Sequence, residues 1–207
     1  MWVFGYGSLL WYTDFPYEIA MTGEVRGYVR RFWQLSPDHR GTPEKPGRAV
    51  TLVEEAGGTC WGMAYRVPDD DVQQTKAYLD FRERAGYRCD EVIFHPDDGS
   101  EPFPLKVYIS ISEDNPFNAP SEDDEIVDTI ISSRGHSGTN LEYALRLADC
   151  VRRMAPHVED DHLFGIERRL LKLCEERKIM DKVLYDIGHQ LDYLHSGRYP
   201  QVQRQLA

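Results

Sequence analysis

Apolar and polar positions follow two different rhythms along this chain. Up to about residue 111 they fall in short runs dense in Val, Ile, Tyr, Phe, Trp and Thr: "GEVRGYVRRFWQLS", "RAVTLVEE", "TCWGMAYRV", "YRCDEVIFH" and "PLKVYISI". Each run reads as a strand, and a short buried strand around Val3 and Phe4 precedes them. The connections carry Gly, Pro and Asp and are short, so the pattern predicts an antiparallel meander or a small barrel rather than repeated βαβ units. One segment interrupts the series. "DDDVQQTKAYLDFRERAG" opens on acids, which suit the positive end of a helix dipole, and ends at Gly86, a fitting C-cap; its apolar stripe is thin.

From about residue 121 the rhythm becomes helical. "TNLEYALRLADCVRRM" places Thr139 and Glu142 at capping-box spacing and sets Leu141, Ala144, Leu145, Ala148 and Val151 on one face. "DHLFGIERRLLKLC" continues the pattern, and Met180, Val183, Leu184, Ile187, Leu191 and Leu194 form a last apolar stripe. The closing "SGRYPQVQRQLA" reads as a polar end.

Composition narrows the partners. The 207 residues, 41% of them apolar, suffice for one full core plus an extension. A net charge of -11 argues against nucleic acid, whose binding needs basic patches. Cys60, Cys89, Cys150 and Cys174 are too scattered for a disulfide framework or a zinc site, which points to reduced thiols and a cytoplasmic setting. The apolar start is not expected to be a secretory leader, because its first basic residue is Arg26 and Gly5, Gly7 and Ser8 break it. No run is long enough to span a bilayer.

Three stretches carry candidate chemistry, each beside a plainer account. In "FGYGSLLW" a strand runs into Gly5, Tyr6, Gly7 and Ser8, and the glycines are expected to allow positive φ and close approach to the backbone. Leu10 occupies the third glycine position of a dinucleotide fingerprint, which leaves a hairpin turn or a loop whose amides hold an anion or oxyanion. Ser8 lacks the surroundings of a nucleophile. In "YLDFRERAGYR", Asp80 and Glu83 stand among arginines and aromatics; the alternatives are a solvated helix end and a carboxylate tuned for general-base work. In "DHRGTPEKPGRAVTL", His39, Arg40, Lys45 and Arg48 are either exposed loop charge or a receiver for a carboxylate.

Taken in order, "FGYGSLLW", "RRFWQLSPDHRGTPEKPGRAVTLV", "CWGMAYRV", "YLDFRERAGY" and "SGTNLEYALRLA" resemble the ChaC-type gamma-glutamylcyclotransferases, in their glutathione-specific branch. The resemblance runs from Met1 to about Leu173. It implies an α+β fold, a small mixed β-barrel with surrounding helices and a pocket at the barrel mouth, in a domain of residues 1–178; residues 179–207 have no counterpart in it, and their apolar stripe reads as a C-terminal helical extension. It implies that Val3, Phe4, Gly5, Tyr6, Gly7, Ser8 and Leu9 hold the gamma-glutamyl group, that Glu83 is the catalytic acid and base, and that Tyr143 lies in the pocket. The implied reaction closes the gamma-glutamyl group of glutathione into 5-oxoproline and releases cysteinylglycine, with no metal or organic cofactor. The alternatives are a cyclotransferase for other gamma-glutamyl amino acids or amines, and a catalytically weak module binding gamma-glutamyl compounds or a protein. The extension is expected to be dispensable for chemistry and to pack on the body or on another copy in a homo-oligomer. The partner is a small molecule; neither nucleic acid nor membrane is expected.

Overall fold

In the computed structural model, which describes residues 1–82, 87–110 and 115–188, five strands close into a barrel in the order β1-β3-β2-β4-β5. They are β1 (Trp2–Gly5), β2 (Ile19–Ser36), β3 (Gly47–Arg66), β4 (Arg88–Pro96) and β5 (Phe103–Ile109). Helix α1 (Val72–Arg82) joins β3 to β4. Neighbouring strands run antiparallel, except that β1 meets β5 in parallel at Val3 and Lys106, and this pairing closes the ring.

The two runs "RAVTLVEE" and "TCWGMAYRV" are not separate strands. They form the two ends of β3, and both pair with β2, from Ile19 opposite Arg66 to Ser36 opposite Gly47. The register slips between Arg26 and Tyr28, whose partners are Thr59 and Glu54, so residues 55–58 stand out of the ladder as a bulge. Gly27 takes the left-handed φ of 81° at this slip. Turn residues thus mark a place where a long strand bends, not where the chain reverses.

Phe4, Val25, Ala64, Phe94 and Val107 fill the barrel and are almost wholly buried. The far halves of β2 and β3 extend past it and carry the helices α2 (Asp123–Ser132), α3 (Asn140–Met154) and α4 (Asp161–Arg177). A two-stranded hairpin, β6 (Arg134–Gly135) with β7 (Gly138–Thr139), leads into α3. Thr139 caps α3 by accepting from the Glu142 amide at 3.1 Å, as the spacing predicts, but the Glu142 carboxylate turns away to two arginines.

Two polar contacts bind helices to barrel. Arg30 is 2% exposed and donates to Asp160, the N-cap of α4, at 3.0 Å and to the Trp61 carbonyl at 2.6 Å. A buried cation stripped of such partners would be strongly destabilising. Beside it, burial pushes the Cys60 thiol up to about 11, so it stays protonated at neutral pH. His162 of α4 accepts the Phe32 amide through Nε2 at 3.0 Å, and its Nδ1 lies 3.5 Å from Asp123. Burial, then the nearby Arg31, lowers its pKa from 6.5, against the pull of Asp123 and Asp160.

After α4 the chain turns through Lys178, at φ 50°, into α5 (Lys182–Asp186), which lies against α3. Asp181 accepts from the Thr139 hydroxyl at 2.7 Å, and Val183 and Leu184 are fully buried. Those two positions of the last apolar stripe therefore pack on the body; Leu191 and Leu194 lie outside the described residues. No helix among the described residues is long and apolar enough to cross a membrane.

Removing residues 179–207 takes away both buried side chains and is expected to lower stability by about 3 kcal/mol or more. An unchanged thermal melt would contradict the packing of α5. The folded state also resists protonating His162, so the unfolded chain takes up that proton first and stability falls as pH drops below about 6.5. His162→Gln keeps an acceptor for Phe32 without the titration, and its melting temperature is expected to fall less than the wild type's between about pH 7 and about pH 5. Equal slopes would assign the acid sensitivity elsewhere.

Candidate functional site

The mouth of the barrel is built where β1 stops. The chain leaves Gly5, passes through Tyr6 and Gly7, and makes one tight helical turn over Ser8–Leu10. Neither glycine is there for a positive φ: Gly7 sits at φ -125°, and Gly5 is likewise outside the left-handed region. The reason is space. A Cβ on Gly5 would stand 2.7 Å from the Leu9 Cβ, and one on Gly7 would stand 3.2 Å from both the Tyr143 hydroxyl and a Val50 methyl. Two phenols pin the loop: Tyr6 donates to the Tyr108 carbonyl at 2.7 Å and Tyr65 to the Leu9 carbonyl at 2.6 Å. Among the described residues, nothing accepts a hydrogen bond from the backbone N–H groups of Gly7, Ser8 and Leu9.

These residues wall a nook of about 60 Å³, with Tyr87, Tyr108 and Tyr143 opposite them. The phenols are held in place. Tyr87 donates to the Val50 carbonyl at 3.0 Å, Tyr143 accepts from the Val50 amide at 3.2 Å, and Tyr108 donates to Asp80 at 2.7 Å. Ser8, Tyr87 and Tyr143 also line a larger cleft of about 620 Å³, so nook and cleft form one continuous depression.

Helix α1 forms one wall of the cleft. Only Thr75 and Leu79 of α1 are buried, which accounts for its thin apolar stripe. Its last described residue, Arg82, donates to the Ser8 hydroxyl at 2.7 Å and to Asp14 at 3.1 Å, while Tyr78 hydrogen-bonds the other Asp14 oxygen. Glu83 follows Arg82 directly and lies outside the described residues.

The opposite wall carries most of the cleft's charge. Arg40 donates through Nη1 to the Thr139 carbonyl at 3.1 Å and to Glu142 at 3.0 Å, and Arg146 takes the other Glu142 oxygen at 2.9 Å. Burial alone would raise the Glu142 pKa, but hydrogen bonds from Arg146 and Arg40 hold it below the usual carboxylate value. His39 lies beside His136, with ring centroids 5.1 Å apart and planes tilted by 46°; burial lowers its pKa, as do the charges of His136, Arg82 and Arg40, against the pull of Asp38. No group of three or more His, Cys, Asp or Glu side chains among the described residues could hold a metal ion.

Of the residues singled out from the sequence, Phe4, Tyr6, Gly7, Ser8, Leu9 and Tyr143 line the nook. Val3 and Gly5 are buried in the strand that supports it. The basic loop divides. His39 and Arg40 line the cleft, whereas buried Arg48 is a structural donor to the Ala119 carbonyl and Ser121, and Lys45 closes a small exposed turn with Thr42. Tyr108 and Asp14 were missed. Tyr108 breaks the in-and-out alternation of β5, because Val107, Tyr108 and Ile109 are all buried, and an aromatic with a polar tip between two aliphatics was its one signal. Asp14 is an isolated acid before Phe15 and gives none.

The sequence model of the family described as ChaC-like protein matches residues 1–173. Glutathione-specific gamma-glutamylcyclotransferase 1 of Homo sapiens is 43% identical over 169 residues, which cover 80% of this chain and 76% of the human one. Glutathione-specific gamma-glutamylcyclotransferase of Schizosaccharomyces pombe is 38% identical over 195 residues, covering 86% and 96% respectively. The crystal structure of a yeast gamma-glutamyl cyclotransferase specific to glutathione superimposes with a TM-score of 0.76 at 28% identity, over 83% of this chain and 96% of that one.

Proposed function

The chain belongs to the ChaC family, and we propose from this premise that it is a glutathione-specific gamma-glutamylcyclotransferase working at the barrel-mouth nook. One observation of the site carries the reading: the nook is lined by Gly7, Ser8 and Leu9, whose N–H groups have no acceptor among the described residues, and it opens into a cleft with room for the rest of a tripeptide. Donors fixed before the substrate arrives suit a charge that appears only during reaction.

The reaction needs no water. The α-amine of the gamma-glutamyl group attacks its own γ-carbonyl carbon, forming the C–N bond of a five-membered ring and placing negative charge on the carbonyl oxygen. Collapse breaks the original amide bond, the ring nitrogen sheds its second proton to become the lactam N–H of 5-oxoproline, and the two protons lost by the α-amine are matched by the two that turn the departing amide N–H of cysteinylglycine into its ammonium. An ammonium cannot attack, so a base must first take its proton and then return one to the leaving group; Glu83 is assigned both tasks. What supports this is the position of Arg82, the residue before it in sequence, which donates to the Ser8 hydroxyl and so fixes the end of α1 against the nook. The walls fold the flexible gamma-glutamyl arm into a reactive shape, the entropic part of the rate gain. Cys60, Cys89, Cys150 and Cys174 are free thiols, which fits work in the reducing cytoplasm.

The reading is tested by incubating the chain with glutathione, gamma-glutamyl-alanine and gamma-glutamyl-lysine and measuring 5-oxoproline. Product from glutathione alone is expected; product mainly from the others would make this a cyclotransferase of a different substrate class, and none at all would leave a binding module. Glu83→Gln preserves shape but cannot accept the ammonium proton, and kcat is expected to fall roughly 10² to 10⁴ fold with the fold intact by thermal melt. Near-normal turnover in folded Glu83→Gln would remove Glu83 from the mechanism. Gly7→Val, which drives its branches into Tyr143 and Val50 and so displaces the loop amides, is expected to reduce turnover by about 3 kcal/mol in the transition state, the scale of one lost oxyanion donor, and far more than Ser8→Ala, which keeps every amide. The reverse order would give the Ser8 hydroxyl a direct role.

A further inference from the structure

The wall of the cleft away from the nook carries a cation that the ring closure does not use. Arg40 is held in a fixed pose: its side chain is 12% exposed, Nη1 is bonded to the Thr139 carbonyl and Glu142, and its guanidinium carbon lies 5.6 Å from the centroid of the Tyr143 ring. Neither Nε nor Nη2 has an acceptor among the described residues. Arg146, the neighbouring cation, is already shared between Glu142 and Asp186. Arg146 has its Nε and Nη2 engaged, whereas the Nε–Nη2 edge of Arg40 is open among the described residues, and such a planar edge matches a carboxylate in two parallel hydrogen bonds.

The spacing selects which carboxylate. Tyr143 separates the two regions, with its hydroxyl at Val50 and Gly7 beside the nook and Arg40 against its ring on the cleft side. A reacting γ-carbonyl in the nook is thus about one phenol ring and a van der Waals contact away from the guanidinium. Two extended residues span at most about 7 Å, which carries the end of a dipeptide leaving group across that ring; a single amino acid ends about 3.5 Å short. The α-carboxylate of the glutamyl group is at the other end of the substrate and cannot serve both places.

We propose that Arg40 receives the terminal carboxylate of a dipeptide leaving group, and so sets the preference of this chain for gamma-glutamyl dipeptides over gamma-glutamyl amino acids. The inference rests on the reaction proposed above. Glu142 is the positioning residue, since it fixes Arg40 from α3 while Arg146 fixes Glu142 in turn.

The test compares glutathione with its glycine ethyl ester, which differs only at that carboxylate. For the wild-type chain, kcat/KM is expected to be about 30-fold or more higher with glutathione, chiefly through KM. Arg40→Met is expected to lose this discrimination, with the two substrates within about twofold of each other, because the side chain and the carboxylate act as one pair. Arg40→Lys keeps the charge without the fork and is expected to give an intermediate ratio, which reads the pairing even if Arg40→Met does not fold. A wild-type chain that cyclises glutathione and the ester alike overturns the inference, and so does either variant folding with the wild-type ratio. A wild-type chain that forms no 5-oxoproline from glutathione overturns the reaction itself, and this inference with it.

Discussion

The site depends on how the barrel is closed. β1 is four residues long, yet it is the stave between β3 and β5, and its parallel pairing with β5 at Val3 and Lys106 completes the ring. A strand placed there has little freedom in register: Phe4 must face inward against Phe94, so Gly5 must leave the barrel at the level of Met63. The loop that follows is fixed at both ends, by β1 itself and by the Tyr65 phenol on Leu9. Closure thus delivers backbone N–H groups to a defined point at the mouth, and Tyr87, Tyr108 and Tyr143 arrive from other elements to wall it. Rigidity of this kind lets amides stabilise charge without rearranging at the moment of reaction.

The helical layer performs a second task. By extending past the barrel, β2 and β3 give α3 a surface on which Tyr143 points back to the nook and Glu142 to the cleft. The chain of charges Arg40, Glu142, Arg146 and Asp186 links the basic loop to α3 and to α5. Its outer pairs are partly exposed and contribute little each to stability. Their effect is geometric: they leave a guanidinium fixed with donors open. Stability comes from elsewhere, chiefly from the apolar cores, while the buried Arg30 ties β2 to the start of α4.

Periodicity made the barrel and the α3 and α4 helices legible, because a half-buried strand and an amphipathic helix leave different spacings of apolar residues. It misread residues 55–58, since glycine and acid look alike in a bulge and in a turn, and only the partner strand distinguishes them. The resemblance led to the nook through "FGYGSLLW" and Tyr143, while composition alone left the turn ambiguous. The glycines themselves suggested both positive φ and close approach, and the geometry keeps only the second. Arg40 and Arg48 illustrate what sequence cannot resolve: eight residues apart in one basic stretch, one faces the cleft and the other is buried under the Ala119 carbonyl. Which side of a loop faces the site is decided by long-range pairing, here by the β6–β7 hairpin that brings His136 and Ser137 against His39.

In the proposed reaction the substrate's own amine, and not water, displaces cysteinylglycine at the barrel mouth. Running the reaction of glutathione in ¹⁸O-labelled water and analysing the products by mass spectrometry tests it most directly. Unlabelled 5-oxoproline and unlabelled cysteinylglycine are expected in equal amounts. Glutamate bearing ¹⁸O as the first product would show hydrolysis and contradict it.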